Sequence, residues 1–321
     1  MEKGRKVKGK FMKMTNFAAE TLTILSVMIE TNSFKAWILA ARPKTLTGAA
    51  IPVMLGCALA FMFGKFNPAP ACLCFLFAFL MQIDANFIND LFDFLKGSDR
   101  EDRLGPSRAC SQGWITPKAM GIGIGITTLL ACIVGLCLLF FSGWEMIPVG
   151  MACVIFAFLY TAGPYPLAYH GWGDLLVLIF FGFVPVGCTY YIMAGNWNLS
   201  VTIASLACGL VIDTLLMVNN FRDRVQDEIS GKRTLVVRFG AKAGLGMYLF
   251  LGLIACWLCF YFLFIGKIYA VLLPQIYLLS HIATTRKMAR INQGKALNNI
   301  LGETSRNILI FGSLLTLGLI L

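Results

Sequence analysis

Long apolar runs, separated by short polar segments, dominate the sequence. A helix needs about 20 apolar residues to cross a bilayer, and on that scale the runs predict about nine transmembrane helices. The predicted spans lie near residues 36–64, 69–95, 117–141, 145–160, 173–194, 200–220, 243–264, 268–285 and 304–321. The pattern therefore predicts an all-α, multi-pass integral membrane protein.

The composition agrees with this prediction. Of the 321 residues, 58% are hydrophobic and 13% are charged, whereas about 25% of a soluble domain is charged. Most of the eleven cysteines lie inside apolar runs, where cysteine behaves as a small hydrophobic residue. With two histidines, no HExxH motif and no glycine-rich phosphate loop, the sequence disfavours a zinc or haem enzyme and an NTPase.

Lysine and arginine are distributed unevenly along the chain. Four regions hold 25 of the 27, namely residues 1–44, 96–118, 221–242 and 286–306. Cytosolic loops of membrane proteins carry such a positive excess. The asymmetry therefore predicts a cytosolic N-terminus and a cytosolic site, in the inner membrane if the source is bacterial. It also explains the net charge of +11 without a nucleic-acid partner.

Residues 1–34 differ from the rest of the chain in composition. They are rich in lysine, and Glu20 and Glu30 interrupt their apolar stretch, so they lack the apolar core of a cleavable signal peptide. We interpret 1–34 as a basic cytosolic extension and 35–321 as the transmembrane domain.

Two acid-rich motifs stand at the ends of predicted spans. The first is NFINDLFDFLKGSDRED, residues 86–102, and the second is NNFRDRVQDEISGKRTL, residues 219–235. Polar residues recur every four positions in both, with an offset of 130: Asn89, Asp93 and Gly97 match Asn219, Asp223 and Asp227, and Asp90 matches Asn220. This correspondence indicates a weak internal duplication with one motif in each half.

A spacing of four places side chains on one face of a helix, so each motif predicts an oxygen-rich face. Carboxylate and amide oxygens suit Mg²⁺, which binds through one or two carboxylates together with substrate phosphates. A diphosphate would approach such carboxylates through bridging metal ions. The alternative is a pair of solvated helix ends, which the matched spacing on one side of the membrane disfavours.

Basic residues accompany the acids. Arg108 follows the first motif, Lys232 and Arg233 lie in the second, and Arg42 and Lys44 stand at the same membrane face. Arginine binds phosphate bidentately and lysine acts as a point charge, so we expect Arg108, Lys232 and Arg233 to contact phosphate. The alternative is ordinary positive-inside anchoring.

Two further acids, Asp84 and Asp213, lie deeper in their predicted spans. Ionisable groups at that depth cost roughly 2.5–3.5 kcal/mol on insertion scales, which makes each a functional candidate. For Asp84, the alternative is a pairing with a neighbouring helix.

Prenyl transfer is a chemistry that fits these features. Metal ions and basic groups would draw diphosphate away from an allylic chain, and an electron-rich aromatic ring would attack the positive charge left behind. Apolar helices rich in phenylalanine, of which the chain has 26, would enclose the isoprenoid tail.

Four sequence blocks are informative together. They are ARPKTLTGAAIPVMLGCALA, NDLFDFLKGSDREDRLGPSRA, YTAGPYPLAYHGWGDLLVLIFFGFVPVGCTYY and NNFRDRVQDEISGKRTLVVRFG. In composition and order they resemble the UbiA superfamily of intramembrane aromatic prenyltransferases, over most of 36–321. The resemblance implies a helical bundle of nine spans with a cytosolic cap over a central cavity.

The resemblance also implies substrates and site residues. Two Mg²⁺ ions would bridge the diphosphate of a polyprenyl diphosphate, and the lipid bilayer would surround the protein. The implied metal ligands are Asn89, Asp90, Asp93, Asp223 and Asp227, of which the four aspartates are catalytic. The implied substrate residues are Lys44, Arg108, Lys232 and Arg233 for the diphosphate and Asn86, Tyr160 and Asn219 for the aromatic acceptor.

The first motif departs from the superfamily pattern at Gly97, where many members have an acid. Here the acid falls at Asp99, with Asp102 close behind. This departure resembles the branch that prenylates 1,4-dihydroxy-2-naphthoate, with loss of CO2, in menaquinone synthesis. It leaves open whether Asp99 or Asp102 touches a metal ion.

Other functions remain as alternatives. Related enzymes use homogentisate, 4-hydroxybenzoate or chlorophyllide as the acceptor. A secondary transporter would also contain intramembrane acids and repeats, but its acids would lie near mid-membrane rather than at one face. The signature of the CDP-alcohol phosphatidyltransferases is absent from the sequence.

Overall fold

The computed structural model describes residues 29–97 and 104–321, with Lys44 described by its backbone alone, and the secondary structure of these residues is entirely helical. The helices are α1 (Phe34–Ala41), α2 (Leu46–Met62), α3 (Pro68–Leu95), α4 (Pro117–Leu138), α5 (Met146–Thr161), α6 (Gly173–Ala194), α7 (Leu199–Ile229), α8 (Leu235–Ile265), α9 (Ile268–Ile291) and α10 (Leu297–Ile320). Most of the predicted extension 1–34 lies outside the described residues.

The all-α membrane fold predicted from the sequence is confirmed. Within the described residues, six helices are long and apolar enough to cross a membrane: α3, α4, α6, α7, α8 and α9. The bent pair α1 and α2 would make a seventh span. Helix α5 is apolar but only 16 residues long, and α10 does not meet the same criteria. The count of nine spans therefore stays a prediction, although a helix lies within each predicted segment.

The first predicted span, 36–64, is broken rather than continuous. Arg42 adopts a left-handed backbone conformation with φ 52°, and Pro43 follows it. A proline disfavours helical conformation in the residue before it, so α1 ends here and α2 starts in a new direction, bent by 55°.

Successive long helices run up and down, so the loops fall into two groups. One end of the bundle, which we call the polar face, carries residues 96–116, 162–172, 230–234 and 292–296, apart from 98–103, which lie outside the described residues. The opposite end carries only short connections. Helix α7 continues to Ile229, beyond the predicted span 200–220, so the second acid motif is helical through Asp227.

Helix α7 lies at the centre of the bundle, with 72% of its most apolar stretch buried inside the protein. It packs against α6 through glycines that bring the two backbones together. A Cβ added to Gly182 would lie 2.5 Å from the Ser205 carbonyl oxygen and 3.1 Å from the Gly209 Cα. Alongside this contact, α6 widens into π-type turns at Leu178–Cys188, a segment that also contains Pro185. π-type turns often occur at functional sites.

The buried acid Asp84 has partners on a neighbouring helix. One carboxylate oxygen accepts a hydrogen bond from the hydroxyl of Thr127, and the other accepts one from Thr128 at 2.8 Å, both on α4. Both oxygens are therefore satisfied, as buried polar groups generally are. This arrangement corresponds to the alternative of helix pairing.

We predict that Gly182→Ala destabilises the protein by about 1–3 kcal/mol, because the new Cβ meets backbone atoms that cannot yield easily. The matched control is Gly121→Ala on α4, where an added Cβ would meet no heavy atom within 4 Å. The thermal unfolding midpoint in detergent should fall for the first variant and hold or rise for the second. Equal midpoints would contradict the close contact.

Candidate functional site

The first acid motif presents a buried ion pair at the end of α3. The Asp93 carboxylate oxygen Oδ2 lies 2.6 Å from Arg108 Nη2, and both side chains are less than a tenth exposed. Arg108 also donates a hydrogen bond of 2.5 Å to the Asn89 carbonyl oxygen. The second Asp93 oxygen, Oδ1, is buried and has no hydrogen-bond partner among the described residues.

Asp90 has a different set of contacts. Its two oxygens accept hydrogen bonds of 2.9 Å from the backbone N–H groups of Ala109 and Cys110, and Arg42 lies at ion-pair distance, 4.0 Å. The side chain is almost fully buried. Asp90 therefore anchors the loop that carries Arg108, and both of its oxygens are already engaged.

The departure from the superfamily pattern at Gly97 has a structural reason. Helix α3 ends at Leu95, and Gly97 adopts a left-handed conformation with φ 66°. Glycine is favoured at this position after a helix because it has no Cβ to strain. The chain leaves the helix here, so position 97 does not share the helical face of Asp93. Asp99, Asp102 and the nearby Arg103 lie outside the described residues.

In the second motif, both aspartates are paired as well. Arg222 donates hydrogen bonds of 2.7 and 2.5 Å to the two oxygens of Asp223, and Lys232 Nζ lies 3.7 Å from Asp227 Oδ1. Arg222 is almost fully buried and also donates to the Asn298 side-chain oxygen at 3.0 Å. The carboxylates thus stand in a compensated electrostatic environment.

The two motifs are joined on one side through Asn298, at the start of α10. Its side-chain amide donates a hydrogen bond of 2.8 Å to the Leu104 carbonyl oxygen, in the loop that continues to Arg108. The same side chain accepts from Arg222. A contact chain therefore runs from Asp93, through the loop and α10, to Asp223.

On the other side, the motifs are joined through the ring of Tyr169. Lys232 Nζ lies 4.7 Å and Lys96 Nζ 5.2 Å from its centroid, within the range of cation–π attraction. Lys96 also donates a hydrogen bond of 2.5 Å to the Thr161 carbonyl oxygen, and the Thr161 hydroxyl donates to the Asn89 side chain. Together, the two chains of contacts form a closed circuit at the polar face. We call the residues that make these contacts the polar ring.

Lys96 has an unusual electrostatic position within the polar ring. Desolvation lowers the pKa of Lys96 below its ordinary value; Asp93 opposes this shift and Lys232 adds to it. Lys96 therefore loses its positive charge at a lower pH than an ordinary lysine would.

A cavity of about 360 Å³ opens among the helices α2 to α7. Its polar lining residues include Asn89, Tyr160 and Asn219, which lie toward the polar face. Elsewhere its walls are mostly apolar, and along α3 they extend from Cys74 to Asn89, about 22 Å of helix at 1.5 Å per residue. The cavity thus combines a polar end with a long apolar interior.

The remaining predicted substrate residues do not all reach the cavity. Asn86 is buried beside the bend, where its amide donates hydrogen bonds of 3.0 Å to the Ala41 carbonyl and the Thr45 hydroxyl. Arg233 is exposed, and its backbone N–H donates to the Tyr169 carbonyl. The side chain of Lys44 lies outside the described residues. The predicted roles of these three residues are untested.

Several residues of the polar ring were not predicted from the sequence, notably Lys96, Thr161, Arg222 and Asn298. Arg222 and Lys96 could have been flagged, because each is a cation within or beside an acid motif. Thr161 and Asn298 carry no such local signal.

The acids fit Mg²⁺ only in part. Among the described residues, no three or more His, Cys, Asp or Glu side chains are grouped to hold a metal ion, so the protein alone does not form a closed cage. The unpartnered Asp93 oxygen suits an ion that draws its other ligands from phosphate and water. Asp90 fits such a role poorly, because backbone N–H groups occupy both of its oxygens.

A polar ring of acids and bases above a long apolar cavity, inside a membrane-spanning helical bundle, defines an enzyme for substrates with a charged head and an apolar tail. The chain belongs to the UbiA prenyltransferase family, whose family model matches residues 49–300. This membership confirms the resemblance inferred from the sequence and establishes a prenyltransferase.

Two proteins that are similar to this chain carry the same name. The 1,4-dihydroxy-2-naphthoate octaprenyltransferase of Escherichia coli (strain K12) is 39% identical over 64% of this chain and 69% of its own. The 1,4-dihydroxy-2-naphthoate octaprenyltransferase of Haemophilus influenzae is 35% identical over 65% of this chain and 71% of its own.

A solved structure shares the fold. It is a UbiA homolog from Archaeoglobus fulgidus bound to DMAPP and Mg²⁺, with a TM-score of 0.59 and 16% identity, covering 87% of this chain and 98% of its own. Mg²⁺ is thus found with a member of this fold.

We predict that Asp90→Asn loosens the loop around residues 109 and 110. An asparagine keeps the size but loses the charge and one acceptor, and a hydrogen bond to a charged group contributes about 1.5–3 kcal/mol. Hydrogen exchange at the Ala109 and Cys110 amides should accelerate about tenfold or more. The control is Asp84→Asn, a buried acid on the same helix that does not touch this loop. Unchanged exchange in Asp90→Asn would rule out the anchoring role.

Proposed function

We propose that this protein transfers a polyprenyl chain from polyprenyl diphosphate to 1,4-dihydroxy-2-naphthoate, with loss of CO2, and so produces demethylmenaquinol for menaquinone synthesis. The observation that carries the proposal is that Asn89 belongs both to the polar ring and to the lining of the apolar cavity, so that the two adjoin. The names of the relatives support the choice of acceptor.

The diphosphate would bind at the polar ring, where the two motifs face each other. Asn89, Asp93, Asp223 and Asp227 are the residues that would hold two Mg²⁺ ions; the ions would act as Lewis acids that neutralise the leaving diphosphate. Asp90, also predicted as a ligand, would contribute by anchoring the loop.

The chain's own cations would complete the diphosphate site. Arg108 and Lys232 each pair with a motif acid, and both could turn toward phosphate oxygens when metal ions take over those acids. Arginine would supply a planar, bidentate contact and lysine a point charge. Lys44 and Arg233 remain predicted contributors.

The aromatic acceptor would bind at the polar end of the cavity. Tyr160 and Asn219 line that end from different helices, and both offer hydrogen-bonding groups to the hydroxyls or the carboxylate of a naphthoate. The isoprenoid tail would extend along the apolar walls, with the polar face in the cytosol as the distribution of basic residues indicates.

The test is an assay of the full chain in membranes with 1,4-dihydroxy-2-naphthoate, a labelled polyprenyl diphosphate and Mg²⁺. We expect a prenylated naphthoquinol, its loss on chelation of the metal, and its return when Mg²⁺ is added. Product with homogentisate or 4-hydroxybenzoate instead would refute the acceptor and keep the family. No product with any acceptor would refute the proposal.

The variants Asp93→Ala and Asp223→Ala should lower this activity by at least about a hundredfold, because each removes a group that faces the diphosphate. Both should still purify as membrane proteins, with a lower thermal midpoint for Asp93→Ala because Arg108 loses its buried partner. The matched control is Glu228→Ala, an exposed acid next to Asp227, which should retain activity. Full activity in either aspartate variant would contradict the assignment of these residues to the metal site.

We predict that Gly150→Leu shortens the tail that the enzyme accepts. Gly150 lines the cavity, and an added Cβ there would meet no heavy atom within 4 Å, so a larger side chain can enter the open space. The control is Gly125→Leu, also in a helix with no neighbouring atom near its added Cβ, but absent from the cavity lining. Turnover of donors of increasing length should decline only in the first variant; matching length profiles would contradict a tail in this cavity.

A further inference from the structure

One cation of the polar ring differs from the others in how its charge is compensated. Lys96 forms no salt bridge with an acid in the part of the chain that the structure describes. The other cations of the ring each form a salt bridge with a motif aspartate: Arg108 with Asp93, Arg222 with Asp223 and Lys232 with Asp227. An anionic ligand would therefore compensate the charge of Lys96 without displacing an acid.

Lys96 stands next to the proposed diphosphate site. It follows α3 directly, three residues after Asp93, and side chains three apart are neighbours on a helical surface. Its ammonium group donates a hydrogen bond of 2.5 Å to the Thr161 carbonyl oxygen, and the Thr161 hydroxyl donates to the Asn89 side chain. Because Asn89 lines the cavity, Lys96 lies two contacts from the cavity's polar end. Lys96 is also exposed, so a ligand at the polar face can reach it.

The ring of Tyr169 brings one lysine from each motif to the same place. Lys232 Nζ lies 4.7 Å and Lys96 Nζ 5.2 Å from the ring centroid, both within the range of about 6 Å over which an aromatic ring attracts a cation. Two ammonium groups beside one ring repel each other, and the neutral ring compensates them only in part. A diphosphate, which carries several negative charges, would compensate both.

Backbone contacts hold Tyr169 in place. Its carbonyl oxygen accepts a hydrogen bond of 2.8 Å from the Arg233 N–H, and its own N–H donates one of 3.0 Å to the Pro166 carbonyl oxygen. The next carbonyl oxygen, that of His170, accepts a hydrogen bond of 2.7 Å from the Arg238 guanidinium. These contacts do not involve the tyrosine side chain, so the ring can be replaced while they are kept.

Phosphate oxygens are stronger partners for the two lysines than the tyrosine ring. A hydrogen bond to an ionised group is roughly twice as strong as one between neutral groups, and cation–π attraction is weak at exposed sites. The flexible four-carbon stem of lysine lets the ammonium group move to a ligand while the backbone stays fixed. Lys96 leaves only a carbonyl oxygen and the ring behind, whereas Lys232 also has to leave Asp227.

We propose that Lys96 is a further contact of the polyprenyl diphosphate, and that Tyr169 is a positioning residue whose ring holds Lys96 and Lys232 ready for it. This inference rests on the proposed function and extends it, because the diphosphate then receives a lysine from each motif. Tyr169 touches the lysines and not the reacting atoms, so it acts on the binding of the donor rather than on the chemical step.

The direct test measures the binding of a prenyl thiodiphosphate with Mg²⁺ to the full chain in lipid nanodiscs, without any acceptor. Sulfur replaces the oxygen of the cleavable bond in this donor analogue, so that the bond resists cleavage. Lys96→Met should weaken binding by about tenfold, because one charge-assisted contact to phosphate is lost. Lys96→Arg keeps the charge and should retain more affinity than Lys96→Met.

Variants of Tyr169 separate the role of the ring from that of the hydroxyl. Tyr169→Phe keeps the aromatic faces and should bind the analogue like the wild type, whereas Tyr169→Leu loses them and should weaken binding by about three- to tenfold. In the naphthoate assay, Lys96→Met and Tyr169→Leu should raise the KM for the diphosphate donor, while the KM for the naphthoate stays within about twofold of the wild-type value.

The matched control is Lys118→Met, which removes an exposed lysine from the first turn of α4 at the same polar face; it should bind the analogue like the wild type. Unchanged binding in Lys96→Met, an equal loss in Lys118→Met, or equal losses in Tyr169→Phe and Tyr169→Leu would each overturn the inference. A lower thermal midpoint in Tyr169→Leu with no loss of binding would overturn it too, because the ring would then be structural only. Failure of the wild-type protein to bind the analogue would instead refute the proposed function.

Discussion

The compensation of buried charge is the constraint on which the polar face depends. Asp93 and Arg108 are both nearly buried, and they form an ion pair of 2.6 Å. Removing one member of such a pair leaves the other uncompensated and costs about 3–5 kcal/mol. Asp90 holds the backbone directly after Arg108, so the first motif contributes one acid to the ion pair and another to the loop that carries the arginine.

The same constraint shapes how a highly charged substrate would enter. In the resting protein each acid of the ring already has a cation or backbone N–H groups as partners. A diphosphate that arrives with metal ions supplies both signs of charge at once. Acids and bases would then exchange partners while the local charge stays balanced, which would avoid a bare charge in a low-dielectric environment.

Sequence reasoning predicted the features that depend on local periodicity. Apolar runs gave the positions of the helices, and the spacing of four placed Asp223 and Asp227 on one helix that the structure extends to Ile229. Contacts between distant segments could not be predicted in this way. Spacing cannot show that Asn86 fastens the bend at Thr45, or that Asp90 turns toward a loop about 20 positions later.

The closure of the ring is a long-range feature of the same kind. Lys96 and Lys232 both contact the ring of Tyr169, although they are far apart in the chain. Neither motif contains a pattern that predicts this contact with the tyrosine.

Helix α5, finally, has a consequence for the surrounding lipid. Its 16 residues extend about 24 Å, which is less than the hydrocarbon thickness of about 30 Å. One side of α5 lines the cavity, while Met151, Ile155 and Leu159 are exposed on its outer side. Such a hydrophobic mismatch is relieved by local thinning of the bilayer, by flanking side chains that reach to the interface, or by oligomerisation. The mismatch therefore falls beside the cavity, whose polar end is lined by Tyr160.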